Sequence, residues 1–300
     1  MMYHGILNVY KEKGYTSFDV IAKLRGICKQ KKIGHTGTLD PDAEGVLPVC
    51  FGQATKVSNM IMDTRKQYKA TLLLGLETDT QDISGNVLVR SEWGYLKDSD
   101  VRDAIMSFVG DIRQIPPMYS ALKINGKKLV DLARQGIEVK REPRVISIYK
   151  IEILSVDLPF IEMLVTCSKG TYIRTLCHDI GRKLGCGGVL KELLRTQTSG
   201  FSFEDALTLE RIEELEKQKL LSDYFVSIES IFDSYPFFTV KKELDRTIKN
   251  GGKISFDEIA LIPVENQLYR AYTSEGQFIG LYECRTGEAF LRPYKMFMIQ

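Results

Sequence analysis

Residues 34–51 read Gly34-His35-Thr36-Gly37-Thr38-Leu39-Asp40-Pro41-Asp42-Ala43-Glu44-Gly45-Val46-Leu47-Pro48-Val49-Cys50-Phe51. The first part is polar and holds Asp40, Asp42, Glu44, one imidazole and the hydroxyls of Thr36 and Thr38. The second part, Val46 to Phe51, is apolar throughout and reads as a buried strand. Gly34, Gly37 and Gly45 can reach backbone conformations closed to other residues, and Pro41 fixes its own φ. A stiff polar loop tied to a buried strand puts reactive groups on a rigid support.

Three chemistries suit such a loop. A surface turn uses Asp and Gly in this way in many proteins. Asp40, Asp42, Glu44 and Gly45 also match the first half of an EF-hand calcium loop. That pattern fails later, because Phe51 stands where a bidentate Glu is needed and Pro48 stands at the ninth position. No metal is therefore expected. The third possibility is a catalytic carboxylate, kept ionised by a neighbouring cation. Composition leaves the choice open.

The chain of 300 residues can bury a full core, with room for one large domain and a small one. Apolar residues make up 44% and charged residues 27%, as in soluble globular proteins. No stretch approaches the length of a membrane span, and the N-terminus lacks a signal peptide's apolar core, so a cytoplasmic protein is expected. Cys28, Cys50, Cys167, Cys177, Cys186 and Cys284 contain no Cys-x-x-Cys pair and read as reduced packing residues. Net charge is only +2, but its distribution is uneven. Lys23, Arg25, Lys29, Lys31 and Lys32 follow one another without an acid, and residues 123–150 carry eight Lys or Arg against Asp131, Glu138 and Glu142. Such segregation suits a phosphate-binding face, although an ordinary solvated surface has the same composition.

Residues 5–10 read as a strand, and Thr16 or Ser17 caps a helix to about Cys28. Thr55 starts a short helix through Met62. Residues 68–74 form a strand, Ser99 caps a helix ending near Gly110, and Asn125-Gly126 marks a hairpin. Leu129 to Gln135 is a helical piece. Arg144–Val156 and Ile161–Cys167 are strands, and Thr171–Leu184 is a helix. The mixture lacks a βαβ rhythm, so the fold class is α+β around a mixed, largely antiparallel sheet. A linker is expected at 230–236, dividing a domain of residues 1–232 from a small β domain of residues 236–300.

The stretch from Lys32 to Phe51 resembles the signature of the TruB family of tRNA pseudouridine synthases. Four further segments resemble that family in order: Gly5-Ile6-Leu7-Asn8-Val9-Tyr10-Lys11 with Gly14-Tyr15-Thr16-Ser17; Lys66-Gln67-Tyr68-Lys69-Ala70 with Thr78-Asp79-Thr80-Gln81-Asp82; Gln114 to Lys123; and Cys167 to Leu176. Leu194-Arg195-Thr196 with Gly200-Phe201 is a weaker match. The resemblance implies the pseudouridine synthase fold, with a basic insertion at about 120–145 that clamps RNA. Residues 272–297 resemble, more loosely, the RNA-binding PUA-type tail of bacterial members. The implied activity is isomerisation of uridine to pseudouridine, at position 55 in the T loop of tRNAs, without a cofactor. The implied enzyme is a stand-alone monomer with no obligatory protein partner.

By the same resemblance, Asp40 is the catalytic nucleophile, Arg174 the cation that keeps it ionised, and Tyr68 the aromatic that stacks on the displaced uracil. A bidentate guanidinium–carboxylate pair is the geometry expected of Asp40 and Arg174. Tyr172 supports the pocket, His35 faces the RNA, and Lys11 makes a structural or phosphate contact. Lys23, Lys31 and Lys127 are expected to govern affinity and its salt dependence. A non-catalytic RNA-binding protein on the same scaffold and a glycoside hydrolase using Asp40 with Asp42 or Glu44 are the competing readings.

Overall fold

The computed structural model describes residues 2–61 and 65–297. Strand β1 (Gly5–Lys11) leads into helix α1 (Ser17–Ile27). Thr16 caps that helix: its hydroxyl accepts from the Asp19 N–H, and the Thr16 N–H donates back to the Asp19 carboxylate. Strands β2 (Ile33–His35) and β3 (Glu44–Phe51) bracket the polar loop. A 3-10 turn at Gly52–Val57 precedes helix α2 (Ser58–Ile61). Thr55 lies inside this turn and donates to the Gly52 carbonyl, so it does not cap the helix. Met62, where that helix was expected to end, lies outside the described residues.

Strand β4 (Lys66–Leu74) is followed by the hairpin β5 (Leu76–Thr78) and β6 (Val87–Arg90), and then by helix α3 (Asp98–Met106). The sequence carried α3 on to Gly110, but the chain turns there and Gly110–Gln114 is strand β7, paired with β10. A small hairpin, β8 (Lys123–Ile124) and β9 (Lys127–Lys128), precedes helix α4 (Leu129–Ala133). Asn125 and Gly126 both adopt positive φ, as a tight hairpin turn of matching twist requires. Strands β10 (Arg144–Asp157) and β11 (Phe160–Cys167) form a long antiparallel pair. Helix α5 (Ile173–Lys183), strand β12 (Gly188–Thr198), strand β13 (Phe201–Ser202) and helix α6 (Leu209–Lys217) complete this part of the chain.

The main sheet runs β1-β3-β12-β4-β11-β10-β7, with β2 on β3 and β13 on β12. Its pairings are antiparallel except β3 with β12, which lie parallel where Leu194 meets Glu44 and Arg195 meets Gly45. The sheet is thus mixed and largely antiparallel, as the sequence implied. Strand β12, which sequence reading did not assign, sits inside it between β3 and β4. Gly45 permits the parallel contact: it has a φ of +108°, and a Cβ there would lie 2.3 Å from the Arg195 carbonyl oxygen. Helices cover the sheet. Helices α3 and α5 press Val101, Ile105, Leu176 and Ile180 onto β4, β10 and β11. Helices α1 and α6 press Val20, Leu24, Ile212 and Leu215 onto β1 and β3. Each such fully buried aliphatic side chain contributes about 1.5–3 kcal/mol.

Residues 230–236 do not run free as a linker. Phe232 is buried there, and its ring stacks on Phe297. From Phe237 onward the chain builds a second sheet. Strand β14 (Phe237–Thr239), helix α7 (Asp245–Lys249) and strands β15 (Ile254–Ser255), β16 (Leu268–Tyr272), β17 (Phe278–Cys284) and β18 (Phe290–Met296) follow in chain order. The sheet order is β14-β16-β17-β18-β15, around its own apolar cluster. All six cysteines are buried and free.

Candidate active site

Three supports converge on the polar loop between β2 and β3. Ser17, in the first turn of α1, donates to the Leu39 carbonyl and accepts from the Leu39 N–H at 2.9 Å. Lys11, at the end of β1, is fully buried, and its ammonium donates to the carbonyls of Glu12, Tyr15 and Pro41. Arg195, on β12, holds the carbonyls of Gly37 and Thr38. The backbone on both sides of Asp40 is therefore fastened. Of the two roles expected for Lys11 the structure supplies the structural one, since its ammonium lies out of reach of a phosphate. Burial pushes that ammonium down to about 8, against the pull of Asp40, Glu44 and Asp42.

Asp40 faces Arg174 across the chain. Arg174 Nε lies 2.9 Å from Asp40 Oδ2, and the side chains are 6% and 44% exposed. Arg174 is the second residue of α5, whose capping residue Tyr172 exchanges two hydrogen bonds with the buried amide of Gln114. The pairing is not the bidentate fork that the sequence suggested. Only Nε serves Asp40. One Nη donates to the Thr80 carbonyl at 3.0 Å and to Asp82 at 3.4 Å, and the other donates to the Tyr119 carbonyl at 2.8 Å. Asp82 is itself held by Thr80 and by the N–H and hydroxyl of Ser84. One guanidinium thus ties the Asp40 loop to the β5–β6 turn and to the root of the basic insertion.

The Asp40 carboxyl sits above its ordinary value. Loss of surrounding water is the largest cause, and Asp82 and Asp42 add to it, while Arg174 and Lys11 pull the other way. The cations reduce the effect of burial without reversing it. An ionised Asp40 is therefore lost as pH falls through a value higher than that of a solvated aspartate. The expected pH profile of turnover has an acid limb displaced upward, with the slope of one proton. Rates that stay flat down to about pH 4 would separate Asp40 from that limb.

Asp40, Tyr68, Tyr172 and Arg174 line one cleft of about 520 Å³, together with Lys66, Lys128 and Leu193. The other expected residues lie elsewhere. His35 accepts from the Gly37 N–H through Nδ1 and is not in the cleft wall. Burial and then Arg195 lower its pKa. Lys23 stands over the Tyr15 ring, 5.0 Å from its centroid, on the exposed side of α1. Lys31 and Lys127 are exposed, the first before β2 and the second on the small hairpin. Asp82, Arg195, Lys66 and Tyr119 belong to the site but were given no role from sequence. Asp82, Lys66 and Tyr119 lie inside segments that match the family well, and Arg195 lies in the weak one, so their positions carried the only available signal.

Residues 25–173 match the family model for the N-terminal domain of TruB family pseudouridylate synthases, and residues 174–233 match that for the C-terminal domain of tRNA pseudouridylate synthase B. The chain belongs to the TruB family. It is 48% identical to the tRNA pseudouridine synthase B of Lachnoclostridium phytofermentans, over 98% of this chain and 100% of that protein. It is 47% identical to the corresponding protein of Clostridium perfringens, over 93% of this chain and 94% of the relative. Among solved structures, the fold is similar to that of a chain in a Cbf5–Nop10–Gar1 complex. The TM-score is 0.73 at 25% identity, covering 98% of this chain and 85% of that one. In this TruB chain the two family models meet between Ile173 and Arg174, at the start of α5, so the cleft draws on both matched segments. Among the described residues no helix is long and apolar enough to cross a membrane.

Proposed function

We propose that this chain isomerises uridine to pseudouridine in tRNA, at uridine 55 of the T loop, with Asp40 as the nucleophile and no cofactor. The observation that carries the reading is the 2.9 Å contact of Asp40 with Arg174 at a cleft large enough for a nucleoside. The relatives named tRNA pseudouridine synthase B support tRNA as the substrate. Tyr68, buried in the cleft wall, offers a ring face to a uracil taken out of its stack. Arg174 supplies a fixed positive charge beside the attacking carboxylate, so little reorganisation is needed during the reaction. Tyr172 also lines the cleft.

RNA reaches this cleft over basic surfaces. Lys23, Lys31 and Lys127, all exposed, govern affinity, and the insertion at about 120–145, whose Lys128 lines the cleft, clamps the RNA. His35 stiffens the loop from behind. Residues 1–232 act as the catalytic domain. Residues 236–300 act as a PUA-like RNA-binding domain, for which the exposed rings of Phe237 and Tyr294 beside Arg270 and Lys295 are suitable.

The deciding assay incubates the purified chain with an unmodified T-arm stem–loop and maps pseudouridine nucleotide by nucleotide. Conversion at the uridine equivalent to position 55, and nowhere else, is expected. Affinity should fall steeply with salt, because phosphate contacts release counterions. Product at another uridine would reassign the substrate. No product at all would remove the activity.

A further inference from the structure

Helix α5 carries Arg174 but does not fix its own starting point. Helix α1 is capped from within by Thr16 and Asp19, whereas the residue that caps α5 is Tyr172, whose side chain makes no capping bond. Tyr is not among the residues that set a helix start by themselves. The fastening comes from a strand 58 residues earlier. Gln114, the last residue of β7, is 2% exposed. Its Nε2 donates to the Tyr172 carbonyl at 3.0 Å, and its Oε1 accepts from the Tyr172 N–H at 2.8 Å. Both polar groups of one side chain thus close on both backbone groups of one residue. Among the described residues the Tyr172 N–H has no other acceptor.

A second tie runs in parallel. Further along the same segment, the Tyr119 carbonyl accepts from an Arg174 Nη at 2.8 Å. Between the two ties lie Pro116 and Pro117, which fix their own φ. Residues 114–119 therefore form a stiff brace across the first turn of α5. One end is fastened to the helix backbone and the other to the Arg174 guanidinium. Arg141, from the far side of the basic insertion, adds a bond to the Pro116 carbonyl at 3.2 Å.

We propose that Gln114 is a positioning residue: by holding the Tyr172 backbone it sets the first turn of α5, so that Tyr172 lines the cleft and Arg174 Nε meets Asp40. The inference rests on the pseudouridine synthase reading above. Gln114 does not line the cleft, so it acts only through the two residues it places. Placement matters here because a single nitrogen of Arg174 serves Asp40, at 2.9 Å. A misplacement of about 1 Å can cost about a hundredfold in rate.

A carboxylic acid makes the sharpest variant. In Gln114→Glu the new side chain, while neutral, donates through its hydroxyl and accepts through its carbonyl, as the amide does. Once ionised it only accepts, and it sets a negative charge against the Tyr172 carbonyl. Burial raises the pKa of such a carboxyl. Single-turnover rates on the T-arm RNA are compared between about pH 5 and 8 for the parent, Gln114→Glu and Gln114→Met, with RNA affinity and melting temperature measured beside them. At the acid end Gln114→Glu should run within about threefold of the parent at the same pH, and at the alkaline end about thirtyfold below it. Gln114→Met removes both bonds at similar length. It should be about thirtyfold slow throughout, with affinity within about threefold of the parent. Its acid limb should also move to higher pH. Burial raises the Asp40 carboxyl and Arg174 is the first group to oppose that, so a displaced Arg174 opposes it less. A glutamine that only supports the fold would lower the melting temperature of both variants and leave the rate of folded protein and the acid limb unmoved. That result overturns the proposal. If Gln114→Met does not fold, the ratio of Gln114→Glu to parent decides, and a ratio constant with pH overturns it. Absence of turnover by the unaltered chain refutes the underlying reading, and this inference with it.

Discussion

Asp40→Asn leaves a folded, RNA-binding protein without turnover. The expected loss in single-turnover rate is about 10⁴-fold or more, since an amide cannot replace an anionic nucleophile. Folding should survive for two reasons. Arg174 keeps the Thr80 and Tyr119 carbonyls and Asp82 when Asp40 is neutral. The loop itself is held by Ser17, Lys11 and Arg195, none of which bonds the Asp40 carboxyl. The raised pKa sharpens the expectation. The folded state binds the Asp40 proton more tightly than the unfolded chain does, so protonation stabilises the fold at low pH. That stabilisation disappears as pH rises through the folded-state value, and at pH 7 the ionised carboxyl opposes folding. The neutral variant should therefore melt no lower than its parent at pH 7. A melting temperature several degrees below the parent would place Asp40 among the residues that hold the loop, and substantial residual product would remove it from the chemistry.

Arg174→Lys should be nearly as damaging to turnover, and by a different route. Lysine retains the charge but offers a single ammonium in place of three nitrogens on a rigid plane. In this site those nitrogens reach Asp40, Asp82, Thr80 and Tyr119 at once. An ammonium placed against Asp40 abandons at least one buried carbonyl. We expect a loss of roughly 10²–10³ in rate with unchanged RNA affinity, because the charge opposite the nucleophile is no longer preorganised. Stability should drop by about 1–3 kcal/mol, the cost of an unsatisfied buried acceptor. Single-turnover kinetics together with a denaturation curve measures both. Near-parental turnover would show that charge alone suffices and that the fourfold arrangement is incidental.

These two residues also show how far sequence reading reaches. The loop that carries Asp40 was legible because its signals are local: glycines, a proline and an apolar strand within a few positions mark a rigid loop on a support, while the choice of Asp40 within it came from family resemblance. Helix α1 was legible for the same reason, since Thr16 and Asp19 cap it from within one turn. The contact with Arg174 spans the chain, and nothing in the spacing of residues 40 and 174 makes them neighbours. Family resemblance put them together, and it did not supply the shape of the contact. The bidentate fork gave way to a shared guanidinium because Thr80, Asp82 and Tyr119 compete for the same nitrogens.

Strand β12 was the larger omission. Lys191, Glu192 and Arg195 break up its apolar pattern, so it reads as a polar connection. It becomes an interior strand of the sheet only through pairing with β4 on one side and β3 on the other. Strand β7 was lost to the tail of α3, since strand pairing with β10, and no local signal, ends the helix early. At 230–236 the break was legible and the packing was not: Ser234-Tyr235-Pro236 does interrupt regular structure ahead of the second sheet, while Phe232 finds a ring to stack on that is distant in sequence.

Local chemistry alone determined the loop, its strand, the capped helix and the α+β class, because capping, turn and burial preferences act over a few residues. Tertiary structure decided which charges meet: that Arg174 serves four partners, that Lys11 is buried, and that Arg195, paired with Tyr68 across two strands, is buried without an acid among the described residues. Those outcomes depend on through-space distance and on the removal of water, and both are set only when remote strands pair and close over the site.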